Sequence, residues 1–336
     1  MYILAVNISH HPSTVSIKDG NVEWYIENER ISRIKDYIIN EPLNTKKFIN
    51  NHVDHLIITS FGSSLYDPDR IECVKNSVSH SEFHYDLNVH HKYHAANAFY
   101  DSGFDECIAI VMDGFGALRD VTNPHREIES SYLCSYPDKI IPLEKHYSIC
   151  DIYGVGYKGT FYIENDLMSD GISVGYMFSQ TCYKFGMNSS TDAGKLMGMA
   201  AYGNPSYGDH WFIDGVANNH LFLSELDEAN TFQERADFCW KLQQETKNHT
   251  INYISNIINK YSPKNIVLSG GYFLNCVNNY AYLKAFPDIN FYIDPIAHDG
   301  GTALGAAKLL WYNITGDTTI RKINNIYYGP IWQHTL

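Results

Sequence analysis

The chain has 336 residues, 44% of them hydrophobic and 19% charged, a globular composition with enough apolar material for one large domain or two lobes. A formal net charge of −13 excludes an unaided, nonspecific grip on nucleic-acid phosphates through a basic surface. No apolar run reaches the roughly 18–20 residues of a membrane span, MYILAVNISHH has no signal-peptide pattern, and the seven scattered cysteines contain no CxxC pair; a soluble, cytoplasmic protein without a zinc ribbon or a membrane partner is expected.

In chain order, YILAVNI (2–8) and TVSIKDGNVEWYI (14–26) read as strands, the second run folded on itself at Asp19-Gly20, a two-residue hairpin signal. VDHLIIT (53–59) reads as a buried strand, and the alanine-rich stretch from Tyr93 to Tyr100 as a helix that starts at the histidines His90, His91 and His94. CIAIVMDGFG followed by SSYLCSY repeats the strand-turn-strand pattern of the N-terminus, which predicts two lobes of related design. Residues 233–260 form the longest helical pattern, ended by Ser262-Pro263; NIVLSGG then reads as a buried strand running into a Gly-Gly turn, and AHDGGTALGAAKLLWYN as a glycine turn opening a small-residue helix. The expected division is an N-terminal lobe over 1–105, a C-terminal lobe over 106–312 and a linker or docking tail over 313–336.

His90 and His94 are four apart, so a helix places both on one face, where they can share a metal; His91 points elsewhere. A helix start with solvated histidines is the plainer reading. Asp113 and Asp299 each follow an apolar strand, where α/β folds place binding groups, and each also suits an Asx turn or N-cap beside glycine. Ser269-Gly270-Gly271 and Gly300-Gly301 let backbone N–H groups approach a phosphate. GKLMG (194–198) lacks the spacing of a Walker P-loop. The residues alone thus predict a two-lobed α/β protein with a nucleotide cleft and a His/Asp metal site.

In order along the chain, HPSTVSIKDG (11–20), ENERISRIKDY (27–37), HHKYHAANAFYDSGF (90–104), VMDGFG (111–116), GKLMGMAAYG (194–203), LSGGYFLNCVNN (268–279) and AHDGGTALGAA (297–307) resemble the motifs of the O-carbamoyltransferases of the nodulation-protein and cephem-carbamoylation type (NodU/CmcH). The resemblance covers nearly the whole chain. It implies a two-lobed actin-like, sugar-kinase-like ATPase fold with duplicated RNase H-like lobes, related to the enzymes that make threonylcarbamoyl-adenosine in tRNA. It further implies that His90, His94, Asp113 and Asp299 hold a divalent metal, Fe²⁺ or else Mg²⁺ or Mn²⁺, against the phosphate of a carbamoyl-adenylate formed from ATP and carbamoyl phosphate. The adenylate would bind at Gly270, Gly271 and Asn275, with Gly198, Gly300 and Gly301 also at the nucleotide. His11 would take the proton of the acceptor hydroxyl, with adjacent His10 as competitor; Lys195 would bind phosphate or carbamoyl oxygen, and Arg33, with Arg30, would position acceptor or carbamoyl groups.

Two departures shape the expectation. Pro12 stands where the family has Asp beside the catalytic histidine. The chain also ends at Leu336, where family members continue into a YrdC-like domain that makes carbamoyl-adenylate, so a separate YrdC-like subunit is expected as partner. The acceptor would be a natural-product sugar or a hydroxymethyl-pyrimidine, free or in DNA. The competing functions are a tRNA threonylcarbamoyltransferase-like enzyme and a non-catalytic nucleotide-binding subunit.

Overall fold

The computed structural model describes residues 1–35, 52–60, 68–86, 88–119, 125–148, 161–163, 166–205 and 208–329. The elements are, in order, β1 (Tyr2–Asn7), β2 (Ser13–Lys18), β3 (Asn21–Glu27), α1 (Asn28–Ser32), β4 (Val53–Thr59), α2 (Pro68–Ser77), β5 (His80–Tyr85) and α3 (His90–Ser102). They continue with β6 (Glu106–Met112), β7 (Arg126–Ser135), β8 (Lys139–Ser148), β9 (Phe161–Ile163), β10 (Asp166–Ser169), α4 (Val174–Lys184), α5 (Ala193–Met199) and the short hairpin β11 (Phe212–Ile213) and β12 (Val216–Ala217). The last are α6 (Asn219–Glu228), α7 (Phe232–Tyr261), β13 (Asn265–Ser269), α8 (Cys276–Ala285), β14 (Asn290–Ile293) and α9 (Gly301–Thr315).

Two mixed sheets repeat one topology. The first has the order β3-β2-β1-β4-β5, with β1 antiparallel to β2 and parallel to β4. The second contains β14-β13-β6-β7-β8, extended by β10 and β9, with β6 antiparallel to β7 and parallel to β13. Each sheet therefore starts with a three-strand meander and adds two parallel strands beside its first strand. This duplication is the two-lobe design expected from the echoing strand-turn-strand patterns, and its topology is the RNase H-like one that the family resemblance implies. Asp19 and Gly20 close the first hairpin at φ 49° and 78°, both in the left-handed region that such a turn requires.

The central strands are buried on both faces, which explains their unbroken apolar runs. Along β1, Ile3 and Ala5 enter the core between the lobes, whereas Leu4 and Val6 enter an outer core that includes Ile71 and Val74 of α2. Along β6, Cys107, Ala109 and Val111 enter the interlobe core, whereas Ile108, Ile110 and Met112 meet Trp211, Phe238 and Leu242 on the far side. Each such large side chain contributes roughly 1.5–3 kcal/mol on burial.

Helices α3 and α9 fill the space between the sheets: α3 packs on β6, β7 and β13, while α9, late in the chain, returns to β1, β2 and β4. Residues after α9 stay on the first lobe, where Tyr25 N–H donates to the Tyr328 carbonyl at 2.8 Å. Residues 330–336 of the expected docking tail lie outside the described residues. No helix among the described residues is long and apolar enough to cross a membrane.

Where α3 and α9 cross, their backbones come close enough that a Cβ on Gly305 would lie 1.9 Å from the Tyr93 carbonyl oxygen. Gly305→Val therefore forces the helices apart. Overpacking of this kind costs about 1–3 kcal/mol or more, and thermal unfolding is expected to show a clearly lowered Tm; an unchanged Tm contradicts this packing.

Candidate metal and nucleotide site

The first turn of α3 and the approach to α9 meet at the C-terminal end of β6. His90 and His94, one helical turn apart, turn their Nε2 atoms to within 3.2 Å of each other. His90 Nε2 lies 3.3 Å from Asp113 Oδ2 and 3.6 Å from Asp299 Oδ1; His94 Nε2 lies 3.6 Å from both. Ligand atoms about 2.1 Å from an ion sit about 3.0 Å apart in octahedral and about 3.4 Å apart in tetrahedral coordination. The four buried donors fit one divalent ion. His91 is turned away, its Nδ1 2.8 Å from Ser130 Oγ.

Both aspartates serve the turn and the cluster at once. Asp113 accepts the Gly114 N–H on Oδ1 at 2.7 Å and presents Oδ2 to the histidines. Asp299 fixes the start of α9 through its carbonyl, which accepts from Thr302 N and Oγ1, and its carboxylate is left for the cluster. The Asn7 side chain, at the end of β1, donates to the carbonyls of His10, His11 and Asp299, tying the first lobe's turn to the ligand segment.

Buried polar groups behind His94 orient its ring. Ser269 Oγ lies 3.5 Å from His94 Nδ1 and donates to Asp294 Oδ2 at 2.9 Å, and Asn97 Nδ2 donates to the same oxygen at 2.9 Å. This chain makes Nδ1 the donor and leaves Nε2 for the cluster.

Burial alone disfavours all four charges, yet the two signs compensate. Burial works against a charged His90, but Asp299 and Asp113 outweigh it and push its pKa up to about 10; His94 is raised by the same partners against the same opposition. Burial and the Asp299 charge act to raise Asp113, but hydrogen bonds from His90 and His94 outweigh them and hold it at about 2. Burial likewise opposes the Asp299 charge, and His90 and His94 carry it well below the ordinary range. His91, chiefly by burial, falls to about 4.

The cluster opens on a cavity of about 580 Å³, within the range of small-molecule sites. Its wall includes Asp113, Asp299, His10, His11, Gly271 and Asn275. It also includes Gly175 and Tyr176 in the first turn of α4, whose N-cap Ser173 accepts from Tyr176 N; a helix start of this kind favours anions. Gly270, at φ 99°, stands just behind: a Cβ there would lie 2.2 Å from the Met112 carbonyl oxygen, so the ends of β13 and β6 meet only through glycine. Asn275 exchanges two 2.8 Å hydrogen bonds with Gln243 and caps α8. Gly300 and Gly301 open α9 directly after Asp299.

The other expected residues lie off this wall. Lys195 is 64% exposed and pairs with Asp192 at 2.8 Å, and Gly198 lies on the same short helix, α5, whose Gly194 and Met197 do line the cavity. Arg33 is exposed and closes α1 in the left-handed region at φ 61°. The nearby lysine on the wall is Lys35, whose Nζ donates to the Thr191 carbonyl at 2.6 Å.

Sequence reasoning missed His298 and Glu27. His298 packs against His11, ring centroids 4.6 Å apart; its Nδ1 accepts from Gly300 N, and its Nε2 lies 3.2 Å from Glu27 Oε1. Burial opposes the Glu27 charge, and His298 outweighs it and lowers the Glu27 pKa. His10 and His11 bring their Nδ1 atoms within 2.6 Å, and His11 holds a left-handed φ of 49°, a conformation that non-glycine residues adopt chiefly where surrounding contacts impose it. The signals were there, in the His of HDGG and the first Glu of ENER, but neither has a spacing that reveals its partner.

The family model described as "Carbamoyltransferase N-terminus" matches residues 13–212 and 215–308. An uncharacterized Synechocystis protein is 26% identical over 73% of this chain and 40% of its own length. The nodulation protein NolNO of Sinorhizobium fredii is 22% identical over 96% of this chain and 49% of its own length. The chain thus spans less than half the length of these two relatives. A crystal structure of full-length HypF in a phosphate- and nucleotide-bound form superposes with a TM-score of 0.56 at 12% identity, covering 94% of this chain and 56% of that one. Together with the duplicated sheets, this likeness shows the two-lobed actin-like fold.

Two predictions follow from the electrostatics and the orienting chain. Asp299 and Asp113 raise the His90 pKa to about 10, so binding of a divalent ion near pH 8 is expected to displace its proton. Calorimetry in buffers of different ionisation enthalpy is expected to show proton release, with affinity rising as pH rises from 6 to 8; pH-independent affinity contradicts the ligand set. Asp294→Asn is expected to weaken metal binding about 10–100-fold, the usual effect of losing an outer-shell partner, and unchanged affinity would remove Asp294 from that role.

Proposed function

The chain belongs to the carbamoyltransferase N-terminal family, and on that premise we propose that it transfers a carbamoyl group from carbamoyl-adenylate, made from ATP and carbamoyl phosphate, to an acceptor hydroxyl. The observation that carries this reading is a single cavity bounded by two carboxylates of the His/Asp cluster, the His10-His11 pair and the start of α4. A divalent ion held by His90, His94, Asp113 and Asp299 would stabilise negative charge on the donor's phosphate as the leaving group departs. Two imidazoles and two carboxylates suit Fe²⁺ or Mn²⁺ better than Mg²⁺, and Fe²⁺ is the proposed ion.

Nitrogen lone-pair donation makes a carbamoyl carbon a poor electrophile, and the mixed anhydride with AMP offsets this with a good leaving group. Gly271 and Asn275 would receive the adenosine, and the first turn of α4 the phosphate. The acceptor oxygen attacks the carbamoyl carbon while His11 takes its proton; the carbon–oxygen bond to phosphate breaks, and AMP leaves beside the new carbamate ester. The Glu27–His298 pair, packed against His11, would hold that ring in place.

The acceptor is proposed to be a natural-product sugar hydroxyl or a hydroxymethyl-pyrimidine in a nucleotide or DNA, the DNA case needing a basic partner to offset the charge of −13. Donor synthesis is proposed to belong to a YrdC-like subunit. Incubating the chain with ATP, carbamoyl phosphate, Fe²⁺ and candidate alcohols, with and without such a subunit, is expected to yield a carbamate only in the complete mixture. No carbamate from the complete mixture, or a threonylcarbamoyl product when threonine, bicarbonate and tRNA are supplied instead, contradicts the proposal. His11→Asn is expected to lower turnover at least about 100-fold with adenylate affinity retained, whereas near-normal turnover assigns the base to His10.

A further inference from the structure

A second convergence of metal-ligating side chains lies on the first sheet, outside the cavity wall. His55 on β4 is paired in register with Glu82 on β5, and His84, two residues further along β5, stands on the same face as Glu82. His55 Nδ1 lies 3.1 Å from His84 Nε2 and 3.4 Å from Glu82 Oε2, and His84 Nε2 lies 3.8 Å from that same oxygen. One atom from each side chain thus faces the other two across a single small triangle.

The plainer account is a polar cross-strand cluster held by hydrogen bonds. A proton between His55 and His84 accounts for their contact, and a charge on either imidazole would draw Glu82; a cation among the three draws the same oxygen, which turns toward both nitrogens from a side chain that is 64% exposed. An ion meets all three at once. Ligand atoms about 2.1 Å from a tetrahedral centre are about 3.4 Å apart, the middle of the observed range. We propose that His55, Glu82 and His84 form a second metal site, for a borderline divalent cation of the Zn²⁺ type, with its fourth position open to water or another donor.

The location gives such an ion a purpose. Among the described residues β5 is an edge strand of the first sheet, paired on one side only, with β4. The ion ties β5 to β4 just before the chain enters α3; Asp86, two residues after His84, accepts from Tyr93 OH of α3 at 3.2 Å. The second site therefore anchors the strand that delivers His90 and His94. It does not depend on the carbamoyl-transfer reading.

Zn²⁺ alone, titrated by calorimetry into the metal-free full chain, tests it. The wild-type chain is expected to bind two equivalents, His84→Ala one, His94→Ala the other one, and the double variant none. Glu82→Gln, a change at an exposed side chain that leaves folding intact, is expected to weaken one of the two equivalents at least tenfold. Wild-type stoichiometry and affinity in both His84→Ala and Glu82→Gln overturns the second site, whatever happens at the first.

Discussion

The crossing of α3 and α9 is the constraint on which the rest of the structure depends. The two helices come from distant parts of the chain, each covers one sheet, and each ends its approach at the His/Asp cluster: α3 brings His90 and His94, and the turn before α9 brings Asp299. A bulky side chain at Gly305 would separate them, and with them the segments that carry the two imidazoles and Asp299. The small-residue composition of α9 is therefore a requirement of the site as much as of the core.

The cluster itself is an electrostatic arrangement of mutually compensating buried charges, with donors spaced so that a cation could take the place of the protons. Two buried carboxylates 3.3–3.6 Å from two buried imidazoles would be costly if any one were unmatched. Protons on the histidines balance the aspartates; the proposed ion would take over that balance, with the imidazoles as neutral ligands. Such an exchange would make binding sensitive to pH and dependent on the orienting chain through Ser269 and Asp294, which presents Nε2 of His94 to the cluster.

Much of this was legible in the sequence because it is local. Period-two and apolar runs marked the central strands, Asp19-Gly20 marked the hairpin, and a spacing of four separated His90 and His94 from His91, which points to Ser130 instead. Asp113 and Asp299 read equally well as turn residues and as ligands, and the structure gives each both tasks. What stayed hidden is tertiary. Nothing in GTALGAAKLLWYN says that α9 returns to the first sheet, and Glu27 of β3 meets His298 only because of that return. Lys195 and Gly198 sit in a stretch rich in glycine, yet the turn of α5 aims Gly194 and Met197 at the cavity and Lys195 at Asp192.

A divalent ion held between α3 and α9, as proposed, would be visible by anomalous scattering from a crystal of the full chain grown with Mn²⁺ or Fe²⁺. The expected result is a peak about 2.0–2.2 Å from His90 Nε2, His94 Nε2 and the facing oxygens of Asp113 and Asp299. A crystal with the four side chains in place and no peak among them, at saturating metal, would contradict it.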